Sequence, residues 1–243
     1  IEQLTSTDKV NPIALLNSMR SRYAQPIQDN INVVRDYDNL SKQKSFIREE
    51  ASSYKYIREA LQDLMGGSYR SINKQVVYSP RKERGRDKVD VPVYVASSSI
   101  KSLFLIDLYI NCLAEKNGML IIDEPELNLH PDNQRKMAAL LSRLVNSGVR
   151  VLITTHSDYL IREINNRVML SQDIENKKNI MKSSKITQQD ILDPKQVKAF
   201  SLKCDHKIHP VEVDKYGINM DIFDNLITDA NELADNIYFN MME

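Results

Sequence analysis

Glycine and cysteine are scarce in this chain, and neither sign of charge prevails. Six glycines occur in 243 residues, at Gly66, Gly67, Gly85, Gly118, Gly148 and Gly217, and none is followed by Lys-Ser or Lys-Thr. A loop of the form G-x-x-x-x-G-K-[ST], whose backbone N–H groups wrap phosphates, is therefore missing from these residues. The two cysteines, Cys112 and Cys204, lie far apart in sequence and make no disulfide framework, which fits a reducing cytosol. Lys plus Arg equals Asp plus Glu, 33 of each, so no net field draws in nucleic acid or an anionic membrane, and any such binding has to be local. Apolar runs such as Met119 to Ile122 fall far short of the roughly 20 residues a membrane helix needs. No signal peptide is visible. With 42% apolar residues a packed core is within reach, as one large domain or two small ones. The chain opens at Ile1 rather than Met and is expected to be a segment of something longer.

Residues 1–65 read as a polar, helical arm or insertion. Asn11-Pro12 starts a short helix carrying Ile13, Leu15, Leu16 and Met19. After Pro26, Ile27, Ile31 and Val34, and later Ile57, Leu61, Leu64 and Met65, recur at roughly helical spacing among dense charges. The pattern fades around Ser41 to Ser45, so a sustained coiled coil is not expected. Gly66-Gly67 stops the helix, and residues 66–243 form a second unit. Gln75 to Tyr78 and Val89 to Val95 are strand-like and flank the turn Arg81 to Asp87, a hairpin over 75–95. Ser97 to Lys116 reads as an amphipathic helix, with Ile100, Leu103, Phe104, Ile106, Leu108, Ile110 and Leu113 on its apolar face.

From Met119 the pattern alternates: strand 119–123, helix 131–147, strand 149–154, helix 157–165, strand 167–170. This is the rhythm of an α/β fold, a parallel sheet of buried strands flanked by helices. Residues 171–185 read as a polar loop, 197–203 and 210–213 as strands, and 221–242 as a closing helix.

The chemistry is concentrated at two strand ends. Met119-Leu120-Ile121-Ile122 runs into Asp123-Glu124-Pro125, and one helix later Val151-Leu152-Ile153 runs into Thr154-Thr155-His156-Ser157. Ligands of parallel sheets sit outside the carboxyl ends of the strands. Asp123 there can hold Mg²⁺, Glu124 can polarise an attacking water, and neutral His156 can hydrogen-bond a terminal phosphate or that water. The plainer alternative is that Asp-Glu-Pro merely ends a strand in a turn. The pairing with Thr-Thr-His at the next strand favours the chemical reading. Pro131 suits a first helical position, His130 is expected to orient the turn before it, and Ser157 to cap the next helix.

The run Asp123-Glu124-Pro125-Glu126-Leu127-Asn128-Leu129-His130-Pro131, followed by Thr154-Thr155-His156-Ser157, resembles the Walker B and switch-histidine elements of ABC-like ATPases of the AAA family, in their SMC and OLD branches. The resemblance extends over about residues 64–170 and implies the C-terminal lobe of a P-loop NTPase head, with ATP and Mg²⁺ as ligands. It implies that Ser97, Ser98, Ser99 and Lys101 occupy the signature position, presented to the γ-phosphate of a second protomer, and that Asn128 lies in the D-loop at a dimer interface. A helix N-terminus suits that use of Ser97 and Ser98. The chain departs from the pattern at Ser99, where glycine is usual, and at Ile100, where glutamate is common. The extra Cβ hinders close approach to phosphate.

The resemblance further implies an ATPase, at least a homodimer through its heads, whose nucleotide-driven dimerisation regulates an effector such as a nuclease or toxin in bacterial anti-phage defence. The alternative is an SMC-like DNA-binding ATPase of repair or chromosome maintenance, and a third is a non-catalytic assembly subunit. These residues alone, without the phosphate loop, are expected to be inactive. OLD proteins carry a Toprim nuclease after the ATPase, but beyond Ser171 only Glu212 and Asp214 approach an acidic strand-end pair, so this chain is not expected to be the nuclease. Two weaker signals remain. Cys204, His206 and His209 offer a zinc site three ligands at most and read as a polar strand end. Arg81, Lys82, Arg84, Arg86 and Lys88, diluted by Glu83 and Asp87, read as a solvated hairpin tip, with nucleic acid the alternative.

Overall fold

A computed structural model describes residues 23–73, 75–81 and 89–241. The helix expected after Asn11-Pro12 and the tip of the hairpin turn at 82–88 lie outside them. Among the described residues four helices come first: α1 (Gln25–Arg35), α2 (Tyr37–Leu40), α3 (Phe46–Glu49) and α4 (Lys55–Met65). Ser45 caps α3, its hydroxyl accepting from the Arg48 N–H at 3.1 Å. Along α4 the apolar residues Ile57, Leu61, Leu64 and Met65 fall on one face and are buried in the central core. This part of the helical segment is thus built into the molecule's main hydrophobic cluster.

Gly66 ends α4 in the left-handed conformation at φ 66°, which costs a residue without Cβ nothing. A Cβ on Gly67 would stand 2.5 Å from the Ser79 carbonyl oxygen, so only glycine lets the chain pass this close to its neighbour. Strands β1 (Gly67–Ile72), β2 (Gln75–Pro80) and β3 (Val91–Pro92) form an antiparallel sheet in that order. The expected hairpin is present between β2 and β3, but β2 pairs mainly with β1, a strand the sequence does not advertise. Only Tyr69 of β1 is buried, so no alternating apolar pattern marks it. Val93 to Val95, expected to extend β3, instead form a 3₁₀ turn.

Helix α5 (Ser98–Leu108) continues into a π-helical turn over Tyr109–Leu113, short of the expected end at Lys116. The widened turn offers carbonyls to the segment before α3: the Ser45 hydroxyl donates to Ile110 O at 2.6 Å, and the Ser45 and Phe46 N–H groups to Asn111 O and Ala114 O. Tyr69 donates to the Ile100 carbonyl and packs edge-on against Phe104 with ring centroids 5.2 Å apart, fastening the antiparallel sheet to α5.

The remaining layer is β4 (Met119–Asp123), α6 (Pro131–Asn146), β5 (Arg150–Thr154) and α7 (Asp158–Met169). β4 and β5 pair in parallel with Asp123 opposite Thr154, and α6 packs on α4, α7 and β5. Met137, Ala138, Leu140 and Leu144 of α6 and Leu160 of α7 are fully buried. The expected strand at 167–170 does not form. Leu160, Ile161, Ile164 and Val168 make a helical stripe that keeps the chain in α7 to Met169, with Val168 buried; three apolar residues in a row do not outweigh that period. Among the described residues, the strands are also not covered on both sides. Leu120, Ile122, Val151 and Ile153 face the helices, whereas Met119, Ile121 and Leu152 face outward, Ile121 being 67% exposed. The observed architecture is thus mixed α/β, with helices on one face of a two-stranded parallel pair.

Beyond α7, part of the expected polar loop forms α8 (Lys177–Ser183). Two antiparallel ribbons follow, β6 (Ala199–Leu202) with β7 (Ile208–Val211) and β8 (Val213–Asp214) with β9 (Gly217–Ile218), and then α9 (Asp221–Met241).

Candidate functional site

The parallel register brings both strand ends to one place. Asp123 closes β4 and Thr154 closes β5; the Thr154 hydroxyl donates to Asp123 Oδ1. Glu124 then leaves the strand with φ 48°, a left-handed backbone uncommon outside glycine. Its N–H still reaches back to the Thr154 carbonyl at 3.1 Å and the Thr154 hydroxyl at 3.2 Å, so the turn is anchored on β5 while the side chain is re-aimed. Glu124 Oε1 lies 3.6 Å from His156 Nε2. The imidazole is 87% exposed, and the carboxylate 37%, so both open to solvent and to any ligand there.

Asn128, also left-handed at φ 63°, sits in the turn that follows; asparagine tolerates this conformation better than most residues. The Ser99 hydroxyl donates to its carbonyl at 2.6 Å, which joins the start of α5 directly to the turn after β4. Ser97 is the N-cap of α5, accepting from the Ile100 N–H at 3.5 Å. Ser98 and Lys101 are exposed on the first turn of the same helix. The sequence-identified residues thus fall into two neighbouring groups, Asp123, Glu124 and His156 at the strand ends and Ser97, Ser98, Ser99 and Lys101 at the start of α5, with Asn128 between them.

His130 caps α6 through Nδ1, which accepts from the Asp132 N–H at 3.3 Å, with Pro131 in the first turn. Ser157 caps α7, its hydroxyl accepting from the Leu160 N–H at 3.1 Å. α6 and α7 are bolted together beneath the site by Glu163, which accepts from Arg135 Nε and Arg167 Nη1, each at 2.6 Å. Burial alone would raise the Glu163 carboxyl, but the hydrogen bonds from Arg167 and Arg135 hold it below the usual carboxylate range.

Sequence reasoning assigned no role to Thr154, Thr155 or Glu126. The first is legible once strand register is known. Glu126 is buried, and its Oε1 accepts from the Thr155 hydroxyl at 2.7 Å and the His156 N–H at 2.9 Å. No spacing rule would single it out, because its partners lie across the sheet.

The donor set suits a hard cation. Asp123 and the Thr154 hydroxyl are oxygen donors at a strand end, and Mg²⁺ is commonly held by one or two carboxylates with water and substrate phosphates completing its shell. Among the described residues no group of three His, Cys, Asp or Glu side chains could hold a metal by itself. At the β6–β7 ribbon, His209 is paired with Asp205 at 2.8 Å and Cys204 is an exposed thiol.

Residues 6–161 match the family described as AAA ATPase domain. No curated protein matches the chain. A solved structure, reported under the structural biochemistry of ATP-driven dimerization and DNA stimulated activation of SMC ATPases, is similar over 79% of this chain and 95% of its own, at 15% identity and a TM-score of 0.38. No helix of the described residues is long and apolar enough to cross a membrane. The family match spans well over half of the chain and takes in both strand ends, and the chain belongs to the AAA ATPase domain family.

Proposed function

We propose that this chain supplies the hydrolytic side of an ATP site. The observation that carries the reading is the approach of Glu124 and His156 to 3.6 Å at the ends of two parallel strands, beside Asp123. In this reading Glu124 orients and deprotonates the attacking water, His156 hydrogen-bonds the terminal phosphate or that water, and Asp123 holds Mg²⁺, which when bound neutralises phosphate charge. The phosphate-wrapping loop comes from residues outside these 243. The bare outer face of β4 and β5, with Met119, Ile121 and Leu152 exposed, supports such an added lobe, since parallel sheets are stable when both faces are covered.

The finer reading is a head that dimerises on ATP, with Ser97, Ser98, Ser99 and Lys101 engaging the partner protomer's nucleotide and Asn128 near the interface. That cycle would control an effector, proposed as a nuclease or toxin of anti-phage defence. The support for the effector is the OLD-like motif text alone. An SMC-like DNA-binding role is the second reading, and salt-dependent DNA binding lost on neutralising Arg81, Arg84 and Arg86 would favour it.

The test uses the assembly that contains both this chain and the phosphate loop. Glu124→Gln should retain ATP binding and lose turnover by about 100-fold or more; unchanged hydrolysis removes Glu124 from the mechanism. The 243 residues alone should bind ATP weakly or not at all, and micromolar affinity by calorimetry would contradict the division of the site.

A further inference from the structure

We propose that Glu126 is the positioning residue for His156, fixing the backbone from which the imidazole projects. The inference rests on the reading of His156 as a phosphate- or water-contacting group. Glu126 is 9% exposed and lies in the turn after Pro125. Its Oε1 takes two donors from the other strand end, the His156 N–H and the Thr155 hydroxyl. A carboxylate is acceptor-only and can hold both at once.

The hydrogen bonds then close into a ring. The Thr155 hydroxyl oxygen accepts from the Ser157 N–H at 3.0 Å, and the Ser157 hydroxyl donates to Gln134 Oε1 at 2.5 Å. Gln134 Nε2 donates to the Leu129 carbonyl at 3.0 Å, and the Leu129 N–H donates to the Glu126 carbonyl at 2.9 Å. The turn after β4, the end of β5 and the first turns of α6 and α7 are thereby locked to one carboxylate. The negative charge also lies next to the N-terminus of α7, where a helix favours an anion.

What this ring holds is the histidine's backbone, while its ring stays exposed and touches Glu124. With its N–H held by Glu126, the residue keeps a fixed starting point on the chain, and the imidazole is aimed from it by two side-chain torsions. Through the Ser99 hydroxyl on the Asn128 carbonyl, the same turn also meets the start of α5.

The experiment is steady-state ATP turnover by the complete assembly, with Glu126→Ala, Glu126→Gln, His156→Ala and the double variant E126A/H156A. E126A should lower kcat by about 10- to 100-fold, as misplacement of a reacting group does, with KM unchanged within about twofold. E126Q should keep kcat within about threefold of the parent, because its carbonyl oxygen retains both donors. The double variant should be no slower than H156A. Full kcat in E126A beside a slow H156A overturns the positioning role and leaves the site reading intact; so does an E126Q as slow as E126A. Full kcat in H156A overturns the site reading itself. Should E126A not fold, E126Q and Glu126→Met carry the test, since only the first keeps an acceptor for the His156 N–H: a kcat loss at constant KM in Glu126→Met alone supports the proposal, and equal kcat in the two overturns it.

Discussion

Thr154 stands opposite Asp123 in the parallel register and donates its hydroxyl to that carboxylate, while its carbonyl takes the Glu124 N–H. One residue on β5 thus holds the Asp123 carboxylate and the backbone of Glu124 at the end of β4. Thr154→Val keeps the shape and the backbone contact but removes the hydroxyl. A hydrogen bond to a charged group contributes about 1.5–3 kcal/mol, and if the position of Asp123 depends on it, turnover of the complete assembly should fall about tenfold or more. The loss should shrink at high Mg²⁺, because a misplaced metal ligand first weakens metal binding. A Mg²⁺ titration of the variant decides this, and an unchanged titration and rate would assign Thr154 a purely structural part.

Arg143 and Asp190 form a largely buried ion pair. Asp190 is 1% exposed and receives Arg143 Nε at 2.6 Å and Nη2 at 3.2 Å, while Arg143 Nη1 donates to the Tyr56 carbonyl. Burial by itself would raise the Asp190 carboxyl, yet the hydrogen bonds from Arg143 and Thr187 hold it below its ordinary value. Arg143→Ala would leave a buried carboxylate without its partner and should destabilise the fold by about 3–5 kcal/mol in urea unfolding. Because the folded value is lowered, the pair's contribution is present above the ordinary carboxylate range and is lost as pH falls through the lowered value. A variant with parental stability at neutral pH would contradict this.

Asp107 works in the opposite sense. Burial pushes its carboxyl up to about 7, against the lowering effects of the Asn111 side chain at 2.8 Å and of Arg48. Its folded value lies above its unfolded one, so the stability it contributes is full at acid pH and is lost as pH rises through about 7. Asp107→Asn keeps an acceptor for Asn111 and removes the charge. The variant should be more stable than the parent at pH 8, by on the order of a few kcal/mol, and the difference should narrow toward pH 4. Chemical denaturation at the two pH values is sufficient, and a pH-independent difference would exclude titration of Asp107 as its origin.

How much of this was legible in the sequence depends on how local each signal is. β4, α6 and β5 are written in strong runs, from Met119 to Asp123, Pro131 to Asn146 and Arg150 to Thr154, and their bounds fall within one residue of those expected. β1 is not, because Gly-Ser-Tyr-Arg-Ser-Ile exposes nearly everything but Tyr69. The misread strand at 167–170 shows a short apolar run losing to the helical stripe in which it also takes part. Glu126 was visible as text in the motif but not as a hub, because its two donors come from another strand.

The residues by themselves determined that a carboxylate pair and a histidine would each end an apolar strand, since chain-local patterning decides strand, turn and helix. Tertiary structure decided that Asp123 pairs with Thr154, that Glu124 faces His156, that Ser99 meets Asn128, and that Glu126 is buried beneath the histidine. Those meetings depend on register and on how one turn packs against the next helix, and they join side chains whose positions in the sequence carry no record of one another.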